Sequence, residues 1–524
     1  MTDVSIIPDL LRKRAAETPH ATAALVDGCG SLSYGEWDAR SNAIARGLAR
    51  YNVVAGDRVA LFFENSEWIE FAVAYFAVLK AGAIAIPLSS RFTGPEVVAI
   101  LERCGSSGVI SGKTAPRGPG WQATVTQLER RQSSEPFGVG VMPEDIAEVL
   151  YTSGTTGLPK GVACRHLHVV TPLTQPAGGL PAWWRACAGG VYLHMNAVST
   201  AAGQLRLFEP LGPAGLTTLA LPVFDPDRFC RLAADYRAAV VQLVPAVAAA
   251  ILDSGAWRRH DLSAVRVVSL GCAHVPVSVL RRLAIAFRAA RLVNRYELSE
   301  ARYAGTSLAY DGTRPASVGR PHGATQLMVT DDAGASLPAG VAGEIRLRWR
   351  GLRPQHYFRD AHATASVFMN GWTRTGDVGY LDDDGYLYLT DRLKDVIIKG
   401  GMNISTVEVE DTLRKHPRVA DCAVFGIPSA SHGEEVAAAI VSGHPLTLSD
   451  LRSFLGARLA AHKLPTHLLR LTELPRNRSG KVLKNDLRTR YAAGRQEPAA
   501  TEEGFIRSGA ARTRPVPHRP PRAG

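Results

Sequence analysis

The sequence predicts an α/β protein: a large N-terminal domain of helix-covered sheets with a β-rich subdomain, followed by a small α+β domain. Three observations lead to this prediction. Strand and helix patterns alternate through the first 300 residues, as in parallel sheets with helices on both faces. Period-two alternation and Asp-Gly turns dominate from 340 to 390. The length of 524 residues exceeds what one hydrophobic core usually holds.

The N-terminal part predicts a helix-covered sheet. Apolar residues recur at helical spacing between Trp37 and Tyr51, and short apolar runs follow glycine turns. The predicted strands are 23–26, 32–34, 56–63 and 83–87, and the predicted helices are 37–51 and 68–81. Residues 112–145 are rich in Gly, Pro, Ser and Arg and have no period, which predicts a loop or weakly structured segment.

Residues 190–300 repeat strand–helix units. The predicted strands are 216–223, 240–244, 265–270 and 292–296, and the predicted helices are 226–236 and 277–286. In an open parallel sheet, ligands bind beyond the carboxyl ends of the strands. Pro245, the run Gly271-Cys-Ala-His274 and the run Tyr296-Glu-Leu-Ser-Glu300 follow such ends. We therefore expect them to line one pocket.

The C-terminal part predicts a compact α+β domain and a tail. The predicted helices are 407–415 and 448–459, and the predicted strands are 419–425, 437–441 and 467–471. Residues 496–524 consist mainly of Pro, Arg, Ala and Gly, which predicts disorder.

The composition, 46% apolar and 21% charged, is that of a soluble globular protein. The formal charge of +12 is spread along the chain without a Lys/Arg block or zinc-finger spacing, which argues against nucleic acid and suits a small polyanionic ligand. Seven cysteines without a C-x-x-C pair indicate a reducing cytosol. We see neither a signal peptide nor an apolar run long enough to span a membrane, and therefore expect a cytoplasmic protein.

One stretch, Tyr151-Thr-Ser-Gly-Thr-Thr-Gly-Leu-Pro-Lys-Gly-Val162, predicts a phosphate-binding loop after a strand. Glycines allow close backbone approach to an anion, and hydroxyl groups and a lysine add donors. The candidate phosphate ligands are Thr152, Ser153, Gly154, Thr155, Thr156, Gly157 and Lys160. The alternative is a polar surface turn. The pattern differs from the common P-loop because Gly161, not Ser or Thr, follows the lysine.

Three further candidates have a chemical rationale. In the run 296–300, Tyr296 can stack on a purine, Ser299 can donate to a phosphate and Glu300 can bind Mg²⁺. Asp377 can accept hydrogen bonds from both hydroxyls of a ribose. Lys481 follows a glycine in a basic turn. Each has an ordinary alternative: a solvated glutamate, a turn-forming aspartate and an exposed lysine.

Taken in order, these motifs resemble those of the adenylate-forming superfamily, which contains acyl-CoA synthetases, peptide-synthetase adenylation domains and luciferase-like enzymes. The resemblance covers about residues 20 to 490 and includes the 151–162 loop, Thr-Gly-Asp377, the 391–404 hinge segment and the Pro475–Lys481 loop. Two segments depart from it. Glu297 and Ser299 replace Gly and Thr in Asn-x-Tyr-Gly-x-Thr-Glu, and Cys272 and His274 replace two residues of Gly-Gly-Ala-Pro.

The resemblance implies a two-step reaction: a carboxylate and Mg·ATP give an acyl-AMP, and a thiol then takes the acyl group. It implies Lys481, Glu300 and Thr152 as catalytic residues, the last two as metal ligands. The implied nucleotide contacts outside the loop are Gly271, Cys272, Ala273, Tyr296, Glu297, Ser299, Asp377, Arg392 and Lys481. It also implies a large ATP- and acid-binding domain (1–391) and a small mobile domain (392–495) pivoting at Lys394, with Gly400 and Gly401 beside the thiol channel.

The sequence constrains the identity of the acid less than it constrains the nucleotide site. The stretch 193–200 has no Asp to hold a substrate amine, which disfavours an α-amino acid, and Asn196-Ala197 stands where many synthetases carry an aromatic–His pair. These two residues, Gln242 and His274 are the expected acyl-pocket residues, and a fatty or aryl acid is favoured. The thiol belongs to CoA or to a separate acyl carrier protein.

Two alternatives remain open. In the first, the fold activates a non-carboxylate oxyanion such as nitrite, an idea motivated only by Glu297 and His274. In the second, the protein is a non-catalytic nucleotide sensor. Retention of Lys160, Glu300 and Lys481, together with Asp377 and Arg392, argues against the second.

Overall fold

The computed structural model describes residues 4–90, 92–116, 118–152, 159–174, 182–400, 402–429, 431–476 and 482–494. The chain divides into two compact units, Met1–Leu393 and Lys394–Gly524. The predicted boundary after 391 lies two residues earlier, because Asp391 and Arg392 still pair with a strand of the larger unit. Within the described ranges, no helix is long and apolar enough to cross a membrane.

The first part of the larger unit alternates strands and helices. Its elements are α1 Ile7–Glu17, β1 Thr22–Val26, β2 Gly30–Ser33, α2 Tyr34–Leu48, β3 Arg58–Phe63, α3 Trp68–Lys80, β4 Ile84–Ser89, α4 Gly94–Cys104, β5 Gly108–Ser111, β6 Trp121–Thr124, α5 Val125–Glu129, β7 Ile146–Thr152, β8 Lys160–Arg165, α6 His166–Thr174 and α7 Ala182–Arg185.

The remainder of the larger unit contains a second series of strands and helices. Its elements are β9 Val191–His194, α8 Ala201–Phe208, β10 Thr217–Ala220, α9 Pro226–Asp235, β11 Val240–Leu243, α10 Pro245–Ser254, β12 Val267–Leu270, α11 Val277–Ala286, β13 Arg291–Glu297, β14 Gly305–Ala309, β15 Ser317–Pro321, β16 Thr325–Thr330, β17 Gly343–Trp349, β18 His356–Tyr357, α12 Ala361–Val367, β19 Phe368–Met369, β20 Trp372–Leu381 and β21 Leu387–Arg392.

Two sheets are found in the described part of this unit. One has the order β18-β8-β7-β4-β3-β5-β6 and is parallel except where β8 pairs with β7 and with β18. The other runs β16-β17-β20-β21-β15-β14-β13-β12-β11-β9-β10-β1-β2, with β19 beside β20. Its strands from β10 to β13 are parallel, and antiparallel pairing from β13 onward adds the predicted β-rich block to the same sheet. The predicted α/β class is confirmed.

Helix α3 lies in the middle of the larger core. Nearly every residue from Trp68 to Lys80 is buried, as expected of a helix that is apolar on all sides. Lys80 is tolerated there because its ammonium donates to Asp38, Ser41 and Asn42. Its pKa still falls to about 8, because burial opposes the charged form.

The prediction of a loop or weak segment over 112–145 is wrong in part, because β6 and α5 lie within it. Strand β6 is only four residues long and extends the edge of a sheet beside β5. Helix α5 begins at a capping box in which Thr124 and Gln127 hydrogen-bond each other's backbone N–H groups.

The smaller unit is the expected α+β domain. Its elements are β22 Ile397–Lys399, β23 Met402–Ile404, α13 Thr406–Leu413, β24 Asp421–Ser429, β25 Gly433–Val441, α14 Leu448–Gly456, β26 His467–Leu471 and α15 Lys484–Gly494. Within the described residues, β22, β23, β24, β25 and β26 form one sheet, and buried residues of α13 and α14 pack on it. The predicted tail, 496–524, lies outside the described residues.

Candidate active site

The predicted phosphate loop connects two antiparallel strands. Thr152 at the end of β7 is the register partner of Lys160 at the start of β8. Ser153, Gly154, Thr155, Thr156 and Gly157 lie outside the described residues, as does the side chain of Thr152. The ladder pair nevertheless fixes both ends of the loop at one edge of the sheet.

Glu300 lies close to the end of this loop. The Tyr357 hydroxyl donates to Glu300 Oε1 at 3.1 Å, and the Lys160 ammonium lies 5.1 Å from the centre of the Tyr357 ring. Tyr357 belongs to β18, which pairs with β8 through Val162. Burial raises the pKa of the Glu300 carboxyl. Tyr357 thus joins the candidate metal ligand to the loop.

The backbone beside Glu300 is held by Gln355. Its side-chain amide lies 2.7 Å from the carbonyl oxygen of Glu300 and 3.1 Å from that of Ser299, where the NH₂ group donates. The sequence predicted a contact from Ser299 to phosphate. The contact that the structure describes for Ser299 instead involves its backbone carbonyl oxygen, which accepts a hydrogen bond from Gln355.

Tyr296, Asp377 and Arg392 form one hydrogen-bonded cluster, although three different strands carry them. The Tyr296 hydroxyl donates to Asp377 Oδ2 at 2.7 Å, and Arg392 Nε lies 3.1 Å from Asp377 Oδ1. Tyr296 and Asp377 are buried, whereas the Arg392 side chain is about half exposed (45%). Burial raises the pKa of Tyr296 well above its ordinary value, so its hydroxyl stays protonated as a donor.

These residues fit the groups that ATP and Mg²⁺ would present. A carboxylate offers about four acceptor positions, so Asp377 keeps capacity for ribose hydroxyls beyond Tyr296 and Arg392. A buried carboxyl with a raised pKa, such as Glu300, gains from a divalent cation that offsets the cost of burying its charge. No group of three or more metal-ligating side chains occurs among the described residues.

The predicted acyl-pocket residues Asn196 and Gln242 are hydrogen-bonded to each other. Gln242 Oε1 accepts from Asn196 Nδ2 at 2.8 Å and from the Tyr192 hydroxyl at 3.1 Å. Gln242 lies in β11 and Asn196 follows the end of β9 by two residues. These strands are parallel neighbours, so both residues lie toward the carboxyl edge of the sheet. Ala197 lies under α8, where its carbonyl oxygen would be only 1.9 Å from a Cβ on Gly203.

The turn after β12 has strained backbone at Cys272, whose φ is +67°. This left-handed region suits glycine, which explains why a glycine is usual at this position of the motif. Cys272, Ala273 and His274 are exposed, and Gly271 is buried. These residues follow β12, which lies between β11 and β13 in parallel register, so the predicted strand-end features share one edge.

Glu297 has an ionic partner on its own strand. Arg295 Nη2 lies 2.5 Å from Glu297 Oε1, and His322 Nε2 lies 3.6 Å from the same oxygen. Burial alone would raise the pKa of Glu297, but the Arg295 guanidinium and His322 lower it to about 2. The carboxylate is therefore charged and engaged by Arg295, and its predicted contact with nucleotide remains a prediction.

Two candidate segments lie in the smaller unit. Gly400 and Gly401 connect β22 to β23, with Lys399 and Met402 as register partners, and Gly400 has a φ of +58°. This left-handed angle suits glycine, so the backbone itself accounts for glycine at 400. Gly401 and Lys481 lie outside the described residues. Arg476 and Val482 form a bridge that closes the segment carrying Lys481.

Sequence reasoning missed several residues that surround the site. Tyr357 and Gln355 belong to no motif and meet Glu300 only in the folded chain. The same holds for the fully buried ion pair of Glu148 in β7 and Arg302, whose Nη1 lies 2.6 Å from Glu148 Oε1. These contacts can be identified only from the three-dimensional structure.

The family model of the AMP-binding enzyme matches residues 11–354, and that of the AMP-binding enzyme C-terminal domain matches residues 408–481. The chain belongs to the AMP-binding enzyme family. This confirms the predicted membership of the adenylate-forming superfamily. Members of this group that resemble the chain are acid–thiol ligases, and the protein is an ATP-dependent ligase that forms an acyl-AMP and transfers the acyl group to a thiol.

Three relatives illustrate the similarity. A long-chain-fatty-acid–CoA ligase, FadD13 of Mycobacterium tuberculosis, is 32% identical and covers 92% of this chain and 98% of its own. A feruloyl-CoA synthase from Amycolatopsis is 32% identical over 91% of this chain and 98% of its own. The structure of o-succinylbenzoate CoA synthetase from Bacillus subtilis with ATP and magnesium ion has a TM-score of 0.80 at 26% identity, covering 91% and 98%. The family enzyme described here uses ATP, Mg²⁺ and a thiol substrate.

Proposed function

We propose that this AMP-binding enzyme joins a fatty or aryl carboxylic acid to the thiol of CoA, or of a separate acyl carrier protein, using the residues described above. The observation that carries the proposal is the cluster of Tyr296, Asp377 and Arg392 beside Glu300. Residues from three strands place a carboxylate, a phenol and a guanidinium together, which supports a binding role for Asp377. FadD13 and the feruloyl-CoA synthase support the two acid classes.

In the first step, a carboxylate oxygen of the acid attacks the α-phosphorus of ATP, and the bond to the leaving pyrophosphate breaks. Asp377 holds the ribose, Tyr296 lies against the base, and the loop from Thr152 to Lys160 grips the terminal phosphates. Mg²⁺ held by Glu300 and Thr152 would neutralise phosphate charge. Lys481 stabilises the negative charge that develops at the α-phosphate.

In the second step, the thiol attacks the carbonyl carbon of the acyl-AMP, the thiol proton is lost, and AMP leaves. We assign the smaller unit to this step, with Lys394 as the pivot and the Gly400–Gly401 turn beside the thiol. The division of the chain between Leu393 and Lys394 supports this pivot. A cytoplasmic location is supported by the odd number of cysteines and by the lack of a C-x-x-C pair in the sequence.

The reaction is tested by ATP–pyrophosphate exchange over a panel of fatty and aryl acids, followed by mass analysis with CoA and with a holo carrier protein. We expect acid-dependent exchange and a thioester. Exchange driven by nitrite and by no carboxylic acid would support the oxyanion alternative instead. Failure of every acid to drive exchange would refute the proposal.

The assignment of Lys481 has its own test. Lys481→Ala should lower the rate of acyl-AMP formation by roughly 100-fold or more, the usual effect of losing one group that stabilises developing charge. Lys415→Ala, at an exposed position of the same unit, is the matched control and should leave the rate unchanged. An unaltered rate in the Lys481 variant would remove the catalytic assignment.

A further inference from the structure

The face of the sheet under helix α8 changes from apolar to polar toward the carboxyl edge. Tyr192, Val240 and Val267 are register partners in β9, β11 and β12, and they belong to one buried apolar cluster. Side chains two residues further along each strand point to the same face. That next row consists of His194, Gln242 and Ser269 in the same three strands. The edge that carries the predicted acyl pocket is therefore polar.

Gln242 belongs to this polar row and has an amide NH₂ group. Its carbonyl oxygen already accepts two hydrogen bonds, from Tyr192 and Asn196. In the part of the chain that the structure describes, no hydrogen bond uses the NH₂ group. Asn196 sets this orientation, because turning the amide would place its NH₂ group against the Nδ2 donor of Asn196. Gln242 thus offers two N–H donors.

His194 supplies a second donor. Its side chain is fully buried, and Nδ1 accepts the backbone N–H of Asn196 at 3.1 Å. Burial lowers the pKa of His194 well below its ordinary value, and the Arg206 charge lowers it further. The neutral ring therefore carries its proton on Nε2, which has no hydrogen-bond partner among the described residues.

Arg206 on α8 supplies a cation. It is 2% exposed, and its guanidinium lies 4.3 Å from the centre of the Tyr192 ring. Nη2 lies 3.4 Å from Glu209 Oε1 and Nε donates to the carbonyl oxygen of Ala202, whereas Nη1 has no partner among the described residues. Tyr192, over whose ring Arg206 lies, precedes His194 by two residues on the same face of β9, so Arg206 lies on the face that carries His194.

Three side chains with unused N–H groups thus lie on one face of the sheet near the edge where the acyl pocket is predicted. An alkyl chain would leave these donors without partners, whereas an oxygen acceptor or an anion would satisfy them. We propose that the acid is a compact one that carries, besides its reacting carboxylate, a hydrogen-bond-accepting or anionic second group bound by Gln242, His194 and Arg206. This inference rests on the proposed function and selects, within its acid classes, polar-substituted acids over unsubstituted long-chain ones.

The experiment uses matched pairs of acids that differ only in the distal group: octanoate with octanedioate, and benzoate with benzene-1,4-dicarboxylate. Their kcat/KM values in ATP–pyrophosphate exchange are compared, and their binding in the presence of AMP is followed by thermal shift. We expect the polar member of at least one pair to exceed its partner by about tenfold or more, since sites built around hydrogen bonds reject analogues that lack them.

The Gln242→Glu substitution tests the role of the NH₂ donor separately from that of the side-chain oxygen. The variant keeps an oxygen for Tyr192 and Asn196 but replaces the NH₂ group with an anionic oxygen, so the preference for the dicarboxylates should fall by about tenfold or reverse. Gln326→Glu is the matched control, because Gln326 in β16 also accepts a hydrogen bond, from Arg348, and is remote in the sheet order from β11. Its acid preference should equal that of the wild type.

Three outcomes would overturn the inference. Equal or better exchange with the unsubstituted members would refute it while leaving the ligase proposal intact. An equal loss for both members of each pair in Gln242→Glu would show that the residue supports the fold and not specificity. Absence of exchange with every acid, together with absence of a thermal shift, would refute the proposed function and this inference together.

Discussion

Replacing Glu148 by Gln tests the coupling between the predicted phosphate loop and the segment that carries the predicted metal ligand Glu300. Glu148 lies in β7, which leads into the loop, and Arg302 lies two residues after Glu300. Both side chains are buried, and the carboxylate also accepts from the Tyr75 hydroxyl at 3.0 Å. The substitution keeps the shape of the side chain but leaves the guanidinium of Arg302 buried without its counter-charge.

The expected loss of unfolding free energy follows from the burial of the Glu148–Arg302 ion pair. Removing one partner of a buried ion pair costs roughly 3–5 kcal/mol, because the remaining charge stays uncompensated. The entropy of unfolding is about 2.1 cal/mol/K per residue, so the 393 residues of the larger unit give roughly 0.8 kcal/mol/K. Dividing the loss of free energy by this entropy predicts that the midpoint of thermal unfolding falls by about 4–6 °C.

The assay is thermal unfolding followed by circular dichroism, with Arg302→Met combined with Glu148→Gln as a double variant. Removing both charges should recover part of the loss, since a neutral pair has no unpaired ion. Glu17→Gln is the control: Glu17 is 48% exposed and 4.0 Å from Lys13, so the free energy should change by less than about 0.5 kcal/mol. A Glu148→Gln midpoint within about 1 °C of wild type would refute the reasoning.

Two further predictions concern stability. Burial lowers the pKa of His166 to about 4, so the unfolded state binds the extra proton between about pH 6.5 and 4 and the unfolding free energy falls as the pH falls. The difference in unfolding free energy between wild type and His166→Asn should therefore decrease by roughly 3 kcal/mol from pH 7 to 4 in urea titrations, and a constant difference would contradict it. Cys272→Gly should leave the protein about 1–2 kcal/mol more stable than Cys29→Gly, because only Cys272 has a left-handed backbone; equal losses would show no strain there.

The sequence predicted most of the fold because its periodicity and its turn residues agree. Helix Val277–Ala286 and strand His467–Leu471 have the predicted bounds. The short β6 and α5 were missed, since four or five residues carry too little periodicity to stand out from a Gly- and Pro-rich segment. The Thr124 to Gln127 capping box was the available signal.

The candidate site was predictable where chemistry follows a motif. Asp377, Tyr296 and Arg392 were identified from separate motifs, and the structure brings them into one cluster. Tyr357 and Arg302 could not be identified from the sequence, because a lone Tyr or Arg has no local signature and its partner lies far along the chain. The polar environment of Gln242 also became visible only through the register of β9, β11 and β12.

The ladder pair of Thr152 and Lys160 makes the phosphate loop an exchangeable part of the protein. Partners in an antiparallel ladder have Cα atoms about 4.5–5.5 Å apart, so the connection between these residues begins and ends at fixed points. Its two strands are anchored separately, β7 to β4 and β8 to β18. A connection of the same length from another protein could therefore replace this one while the sheet keeps its register.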